Sequence, residues 1–208
     1  MNTIWGFGDS FTFGHGCRPD GPLVEYYNEY KKDGDKVWLE WLGEWKGMNT
    51  MNLGLCGASN EYIFDSVLDN DKNIISGDIV VIGTTLWGRR DIPIEDRWLP
   101  LLSIIEAGGE VTGVNTMSVE DRNILIEYQL RFGEHPLWKE RMSKRISFLK
   151  ETLHRRGIEV IVWNINDEVA STMELIMDVS PYKDWHFSFG GHKRWAEYLY
   201  KRLKGELI

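Results

Sequence analysis

Four short runs of strand-forming residues alternate with segments of helical periodicity, and this alternation constrains the fold more than any other feature of the sequence. The runs are residues 3–8, 50–55, 79–82 and 158–163. The third run reads Ile-Val-Val-Ile, which is typical of a strand buried on both faces of a parallel sheet. Strands that alternate with helices predict a parallel sheet with helices packed on its faces. We therefore expect an α/β fold, a three-layer α/β/α sandwich with a short parallel sheet that is flavodoxin-like in general form.

The segments between these runs carry helix signals. Apolar residues at helical spacing mark four predicted helices. In chain order, the helices are marked by Trp38, Trp41 and Trp45; by Ile63, Phe64 and Val67; by Met142, Ile146 and Leu149; and by Trp195, Ala196 and Leu199. Ser59 is placed to cap the second helix, and Gly47 and Gly157 follow the first and third helices, where a C-terminal glycine belongs. With Trp163 in the fourth strand run, half of the ten tryptophans are predicted to be structural.

Residues 84–116 do not fit the alternation. The segment is too long for a structureless loop in a compact domain, and it contains a turn signal at Gly108-Gly109. We interpret it as an inserted excursion, a small hairpin or a lid. Since 208 residues are otherwise the size of one domain, we predict a single domain over residues 1–208 with this insertion.

The charge balance excludes two classes of partner. The chain has 24 Lys and Arg against 32 Asp and Glu, a net charge of −8. Without a basic stripe, neither nucleic acid nor an anionic membrane is an expected partner. No apolar run is long enough to span a bilayer, and residues 1–6 lack the basic start of a secretory signal. Because Cys17 and Cys56 are the only cysteines, we expect free thiols and a cytoplasmic protein, of either cellular or viral origin.

The sequence predicts neither a cofactor nor a metal site. A Gly-x-Gly motif at residues 6–8 invites a dinucleotide interpretation, but Phe11 stands where a third glycine is needed and no acidic residue ends the second strand run. His15 and Cys17 lack further ligands at zinc-like spacing. His192 lies on the apolar face of the last predicted helix, so we expect a buried, structural histidine there.

Three residues at the two ends of the chain could carry nucleophilic chemistry. Ser10 directly follows the first strand run, at the sheet edge where parallel α/β folds bind ligands. A serine hydroxyl needs a base, commonly a histidine oriented by a carboxylate, and Asp184 and His186 lie just before the last helix. Taken singly, Ser10 would be a turn or capping serine, and the other two would be ordinary surface residues. Their combination favours acyl transfer.

Three blocks of sequence together resemble a known family. They are Gly-Asp-Ser-Phe at residues 8–11, Asn-Leu-Gly-Leu-Cys-Gly-Ala-Ser-Asn at residues 52–60, and Asp-Trp-His-Phe-Ser-Phe-Gly-Gly-His at residues 184–192. In this order they resemble the SGNH (GDSL-like) hydrolase family over nearly the whole chain, although the long middle segment is unmatched. The resemblance implies the flavodoxin-like fold of SGNH hydrolases and an ester hydrolase activity.

The resemblance also implies a role for each matched residue. Ser10 would be the nucleophile, His186 the general base, and Asp184 the carboxylate that orients the imidazole. The backbone N–H groups of Ser10 and Gly57 would form part of the oxyanion hole. The family's usual third donor is an asparagine side chain, and Thr85 stands at that position here.

Two departures from the family pattern bear on the site. A threonine hydroxyl can still donate one hydrogen bond, so Thr85, Asn60 or Arg89 would have to replace the missing asparagine. The family commonly has Asp-x-x-His, whereas this chain has Asp-x-His, and the shorter spacing changes how Asp184 can reach His186. The assignment of His186 as the base is therefore firmer than that of Asp184 as its orienting group.

The sequence thus predicts a serine esterase or acylhydrolase that acts on a small acyl ester or an acylated glycan. Asn60, Trp87, Arg89 and Trp185 are the predicted substrate-binding residues, because they neighbour the matched blocks. The alternative is a catalytically weak or inactive SGNH-like fold that binds a glycan or a protein partner. The missing asparagine favours this alternative, and the presence of both Ser10 and His186 favours the enzyme.

Overall fold

A computed structural model describes residues 1–19, 24–86, 89, 91–94, 97–100, 118–132, 136–164 and 186–206. Its strands are β1 (Thr3–Gly8), β2 (Asn49–Gly54), β3 (Ile79–Thr84), β4 (Asp91–Ile94), β5 (Arg97–Pro100) and β6 (Glu159–Asn164). Its helices are α1 (Ser10–Phe13), α2 (Val24–Tyr30), α3 (Trp38–Lys46), α4 (Asn60–Asp69), α5 (Val119–Phe132), α6 (Pro136–Arg155) and α7 (Phe189–Leu203). The four predicted strands are present: β1 has the predicted bounds, and the ends of the other three differ from prediction by at most two residues.

Four of the described strands form one parallel sheet in the order β2-β1-β3-β6. The register places Gly8 opposite Gly54 and Phe7 opposite Ile82. The strands therefore end together, so that residues following β1, β2 and β3 meet at one edge of the sheet. This edge is where Ser10 was expected.

The core lies on both faces of this sheet. Alternate strand residues pack on α3 and α7 on one face and on α4 and α6 on the other face. The cluster on the face covered by α3 and α7 is centred on Trp38, Trp163 and Trp195, all of which are almost fully buried. Trp41 and Trp45 pack against this cluster. The three-layer α/β/α sandwich is confirmed, and so is the structural role of these five tryptophans.

The predicted helix signals are also present. The Ser59 side chain caps α4 by accepting a hydrogen bond from Tyr62 N at 3.1 Å. Gly47 ends α3 in the left-handed conformation, and Gly157 follows α6 with φ of +76°. In the part of the chain that the structure describes, no helix combines the length and the apolar character needed to cross a membrane.

The excursion contains a small antiparallel hairpin. β4 pairs with β5, with Asp91 opposite Pro100 and Ile94 opposite Arg97. Asp91 lies beside Ser59 at the start of α4, and burial raises the pKa of its carboxyl above the ordinary value. The hairpin therefore begins at the same edge of the sheet as Ser10. Residues 87, 88, 90, 95, 96 and 101–116 of the excursion lie outside the described residues.

Candidate active site

Ser10 lies in a tight strand-to-helix turn. β1 ends at Gly8, and the Asp9 side chain accepts a hydrogen bond from Phe11 N at 3.1 Å. Ser10 is therefore the first residue of α1, a single turn that ends at Gly14 with φ of +89°. The N–H of Gly14 donates back to the Ser10 carbonyl at 3.0 Å. This turn fixes the Ser10 hydroxyl at the carboxyl-terminal edge of the sheet.

His186 is in direct contact with Ser10. Its Nε2 lies 2.8 Å from Ser10 Oγ, which is within hydrogen-bond distance. The imidazole ring also contacts Phe11, with ring centroids 4.8 Å apart, and His15, with centroids 4.3 Å apart. The expected contact between the two residues is thus present, and ring contacts with Phe11 and His15 help to orient the His186 imidazole.

Three of the predicted site residues lie outside the described part of the chain: Asp184, Trp185 and Trp87. The roles assigned to them therefore stay predictions. Among the described residues, His186 Nε2 and Ser10 Oγ lie within hydrogen-bond distance of each other.

The loop that carries Gly57 is held against the Ser10 turn. Leu55 N donates to the Gly8 carbonyl at 2.9 Å, and Gly57 has φ of +78°. Asn52 Nδ2 donates to the Thr12 carbonyl at 2.9 Å, so its amide links β2 to α1. The segment with the predicted oxyanion glycine therefore follows the same edge as the nucleophile.

Asn60 and Thr85 are bonded to each other and are closed off from solvent. Thr85 N donates to Asn60 Oδ1 at 3.0 Å, and Asn60 Nδ2 donates to the carbonyls of Thr85 and Leu86, each at 3.2 Å. Both residues are only 1% exposed, and the Thr85 hydroxyl oxygen has no accessible surface. Asn60 therefore holds the backbone after β3, and the Thr85 hydroxyl is buried in this arrangement. The substrate-binding role of Asn60 and the oxyanion role of Thr85 stay predictions.

Arg89 contacts Asp9, the residue that precedes Ser10. Its Nη1 lies 3.4 Å from Asp9 Oδ2, and its side chain is 17% exposed. Burial raises the pKa of the Asp9 carboxyl, while the Arg89 charge, a hydrogen bond from the Thr85 side chain and the Phe11 N–H oppose that rise. Asp9 therefore has two roles, because one oxygen caps α1 and the other faces Arg89.

Sequence reasoning missed the contribution of the loop after α1. His15 was considered only as a metal ligand, but the structure places it between His186 and Cys56, whose Sγ lies 3.5 Å from His15 Nδ1. Cys17 Sγ contacts the Phe187 carbonyl at 3.6 Å, which ties this loop to the segment that carries His186. Gly14 and Gly16 have φ of +89° and +75°, and the chain turns back at this loop. These two glycines are the only sequence signal of the turn.

The two cysteines are free thiols, as the sequence predicted. Burial raises the pKa of the Cys56 thiol to about 11, and the Asp9 carboxylate adds to the rise. The thiol is therefore protonated at neutral pH, which makes it a poor nucleophile. Within the described ranges, no group of three or more His, Cys, Asp or Glu side chains is arranged to hold a metal ion.

His192 lies in the core behind the site. It is 1% exposed and packs edge-on against Phe187, with ring centroids 5.4 Å apart. Burial lowers the pKa of its imidazole to about 3, and the neighbouring His186 lowers it further. The prediction of a buried, structural histidine is confirmed.

Comparisons with known proteins give matches among solved structures alone. No family model matches the sequence, and no curated protein is significantly similar to it. A lipolytic protein of the G-D-S-L family from Desulfitobacterium hafniense DCB-2 is 17% identical, with 97% of this chain and 99% of that chain covered and a TM-score of 0.42. A member of the same family from Veillonella parvula DSM 2008 is 15% identical, with 98% and 97% covered and a TM-score of 0.41.

A third similar structure is a catalytic mutant of an acetylxylan esterase from Geobacillus stearothermophilus. It is 12% identical, with 97% of this chain and 93% of that chain covered and a TM-score of 0.39. The similar structures thus include lipolytic proteins of the G-D-S-L family and acetylxylan esterases. Since these TM-scores lie below 0.5, we base the functional proposal on this chain's own residues.

Proposed function

We propose that this protein is a serine ester hydrolase in which Ser10 is the nucleophile and His186 the general base. The observation that carries the proposal is the distance of 2.8 Å between Ser10 Oγ and His186 Nε2. A serine hydroxyl is a weak nucleophile at neutral pH, and an imidazole within hydrogen-bond distance is the usual means of activating it. The tight turn at Asp9 supports the same role, because it fixes the hydroxyl at the edge of the sheet.

Acylation follows from this pair of residues. Ser10 Oγ forms a bond to the carbonyl carbon of an ester as its proton passes to His186 Nε2, and the carbonyl π electrons move onto the carbonyl oxygen. When this tetrahedral intermediate collapses, the C=O bond re-forms and the bond to the alcohol oxygen breaks. His186 gives its proton to the departing alcohol, which leaves an acyl group on Ser10.

Deacylation repeats the steps with water as the nucleophile. His186 takes a proton from a water molecule as the water oxygen attacks the acyl carbon. His186 then gives this proton to Ser10 Oγ as the bond between Oγ and the acyl carbon breaks and the carboxylic acid leaves. The backbone N–H groups of Ser10 and Gly57 are the proposed donors to the oxyanion in both halves, and Asp184 is the proposed orienting carboxylate. A preorganised donor of this kind is worth about 10²–10³ in kcat.

A small acyl ester or an acylated sugar is the proposed substrate. Trp185 directly precedes His186 in the chain, and Trp87 follows β3 by three residues. Indole rings at such positions would give a sugar ring or a small acyl group an apolar surface to stack on.

A binding protein is the second candidate function. The observation that favours it concerns Thr85. Its N–H donates to Asn60 Oδ1 and its hydroxyl is buried, so in this arrangement neither Thr85 donor is available to a substrate oxygen. An SGNH-like fold with an incomplete oxyanion hole could hold an acylated glycan without cleaving it.

Ester hydrolysis separates the two candidates. We expect the wild-type protein to hydrolyse p-nitrophenyl acetate, and Ser10→Ala and His186→Gln each to lower kcat/KM by about 10⁴-fold or more. His154→Gln is the matched control, because it makes the same substitution at an exposed position of α6. Folded wild-type protein without turnover, or a Ser10→Ala variant with full activity, would contradict the proposal. Retained binding of an acetylated oligosaccharide by such an inactive protein would favour the binding role.

A further inference from the structure

The oxyanion hole needs a donor that replaces the absent asparagine, and the structure removes two of the three candidates. Asn60 directs its amide group to the backbone of Thr85 and Leu86, and Thr85 N donates to Asn60 in return. The Thr85 hydroxyl has no accessible surface. Neither residue can donate to a substrate oxygen unless the backbone after β3 moves.

Arg89 has unused donors next to the nucleophile. A guanidinium carries five N–H donors, and the contact of Arg89 with Asp9 uses one of them, from Nη1 to Oδ2 at 3.4 Å. Its Nε is buried, whereas the side chain as a whole is 17% exposed, so only the accessible part of the guanidinium is offered as a donor to a ligand. Because Asp9 immediately precedes Ser10, this contact holds the guanidinium beside the first turn of α1.

We propose that Arg89 is the third oxyanion donor, held in position by Asp9. This inference rests on the proposed hydrolase function and adds a residue to it. Arg89 stays protonated throughout: it donates hydrogen bonds to the carbonyl oxygen as that oxygen gains the π electron pair, and it releases the oxygen when the C=O bond re-forms. Hydrogen bonds from a charged donor to an anion are stronger than those from a neutral amide, so the guanidinium compensates for the missing asparagine.

A purely structural role for Arg89 is the competing explanation, because it also neutralises a buried carboxylate. Paired substitutions distinguish the two roles. Arg89→Met removes the charge and all donors, and leaves the Asp9 carboxylate without its partner. Asp9→Asn in the same chain removes that unpaired charge, while the amide oxygen can still cap α1.

The experiment measures kcat and KM for p-nitrophenyl acetate in wild type, Arg89→Met, and the double variant with Asp9→Asn. We expect kcat to fall by about 10²–10³-fold in Arg89→Met and to stay low in the double variant, with KM changed little. A double variant with wild-type kcat would overturn the proposal and leave Arg89 as a counter-ion. Wild-type protein that hydrolyses no ester would instead overturn the proposed function as a whole.

Arg89→Lys keeps the proposal testable should Arg89→Met fail to fold. The ammonium keeps the positive charge opposite Asp9 but lacks the planar fork of donors. We expect this variant to unfold at the same temperature as wild type and to lose about tenfold or more in kcat. Wild-type kcat in Arg89→Lys, together with wild-type kcat in the Asp9→Asn variant, would contradict a role in oxyanion binding.

Discussion

At the scale of single residues, the orientation of His186 is the feature on which the proposed chemistry most depends. A general base must lie within hydrogen-bond distance of the proton that it takes. His186 meets this condition while it contacts the rings of Phe11 and His15. His15 in turn has the Cys56 thiol 3.5 Å from its Nδ1. We therefore regard His15 as a positioning residue that acts through His186.

Substitution of His15 tests this positioning role. We expect His15→Ala to lower kcat by between about tenfold and a hundredfold with little change in KM, because the imidazole of His186 loses one of its ring contacts. His15→Phe keeps a ring at the same place and should recover most of the lost kcat. Steady-state hydrolysis of p-nitrophenyl acetate provides the measurement. Equal loss in the two variants would show that the ring contact with His186 is not what matters.

The contact between Ser10 and His186 was predictable because a local motif marks each of them. Ser10 and His186 were identified from short sequence blocks, and the structure brings them together. The positions of Asn60, Arg89 and His15 could not be predicted in the same way, because each depends on a contact with a residue far away along the chain. Asn60 bonds to Thr85 and Arg89 to Asp9, and nothing local to either residue indicates its partner.

At the scale of elements, the site is positioned by close contacts between the ends of strands and α1. A Cβ atom at Gly54 would overlap the backbone of Thr12 and Phe13, so β2 and α1 touch without a side chain between them. This contact lies just before the loop that carries Gly57. The arrangement of the proposed oxyanion hole therefore depends on a glycine that takes no part in the chemistry.

Alanine substitutions at two glycines measure this dependence. Gly54→Ala should lower the free energy of unfolding by about 1–3 kcal/mol, since backbone atoms cannot move aside cheaply. Gly6→Ala in β1 is the matched control, because its Cβ would approach the end of the flexible Leu39 side chain at 2.9 Å. We expect a smaller loss there, measured by urea unfolding. Equal losses in the two variants would mean that the approach of β2 to α1 is not tight.

Periodicity predicted the elements well and their connections poorly. The β-branched run at residues 79–82 became a buried strand, and the tryptophan spacing in α3 became the helix face that packs on the core, with Trp38 buried and Trp41 and Trp45 partly buried. The pairing of β4 with β5 was not predictable in register, because the residues around it have neither clear alternation nor helical spacing. Its start beside Ser59 reflects a tertiary contact that sequence patterns do not encode.

At the scale of the whole molecule, the buried His192 links folding to pH. Its imidazole has a pKa of about 3 in the folded protein against an ordinary value of 6.5. Between these values the unfolded chain binds a proton that the folded chain does not, so stability falls as the pH falls from about 6.5 towards 3. The loss from this group amounts to about 2 kcal/mol between pH 7 and pH 5.

The pH dependence of unfolding checks this link. We expect the free energy of unfolding to decrease more steeply between pH 7 and pH 5 in wild type than in His192→Leu, in which the titrating group is absent. The difference between the two slopes isolates His192, because the other titrating groups are shared. Parallel curves for the two proteins would contradict a buried, neutral His192.

The central claim, that Ser10 is an activated nucleophile, is tested most directly by covalent capture. Wild-type protein is incubated with a fluorophosphonate probe beside Ser10→Ala, and the intact mass and the labelled peptide are determined by mass spectrometry. We expect one adduct per chain on the peptide that contains Ser10, no adduct in Ser10→Ala, and slower labelling in His186→Gln. Folded wild-type protein that takes up no probe, or equal labelling of Ser10→Ala, would contradict it.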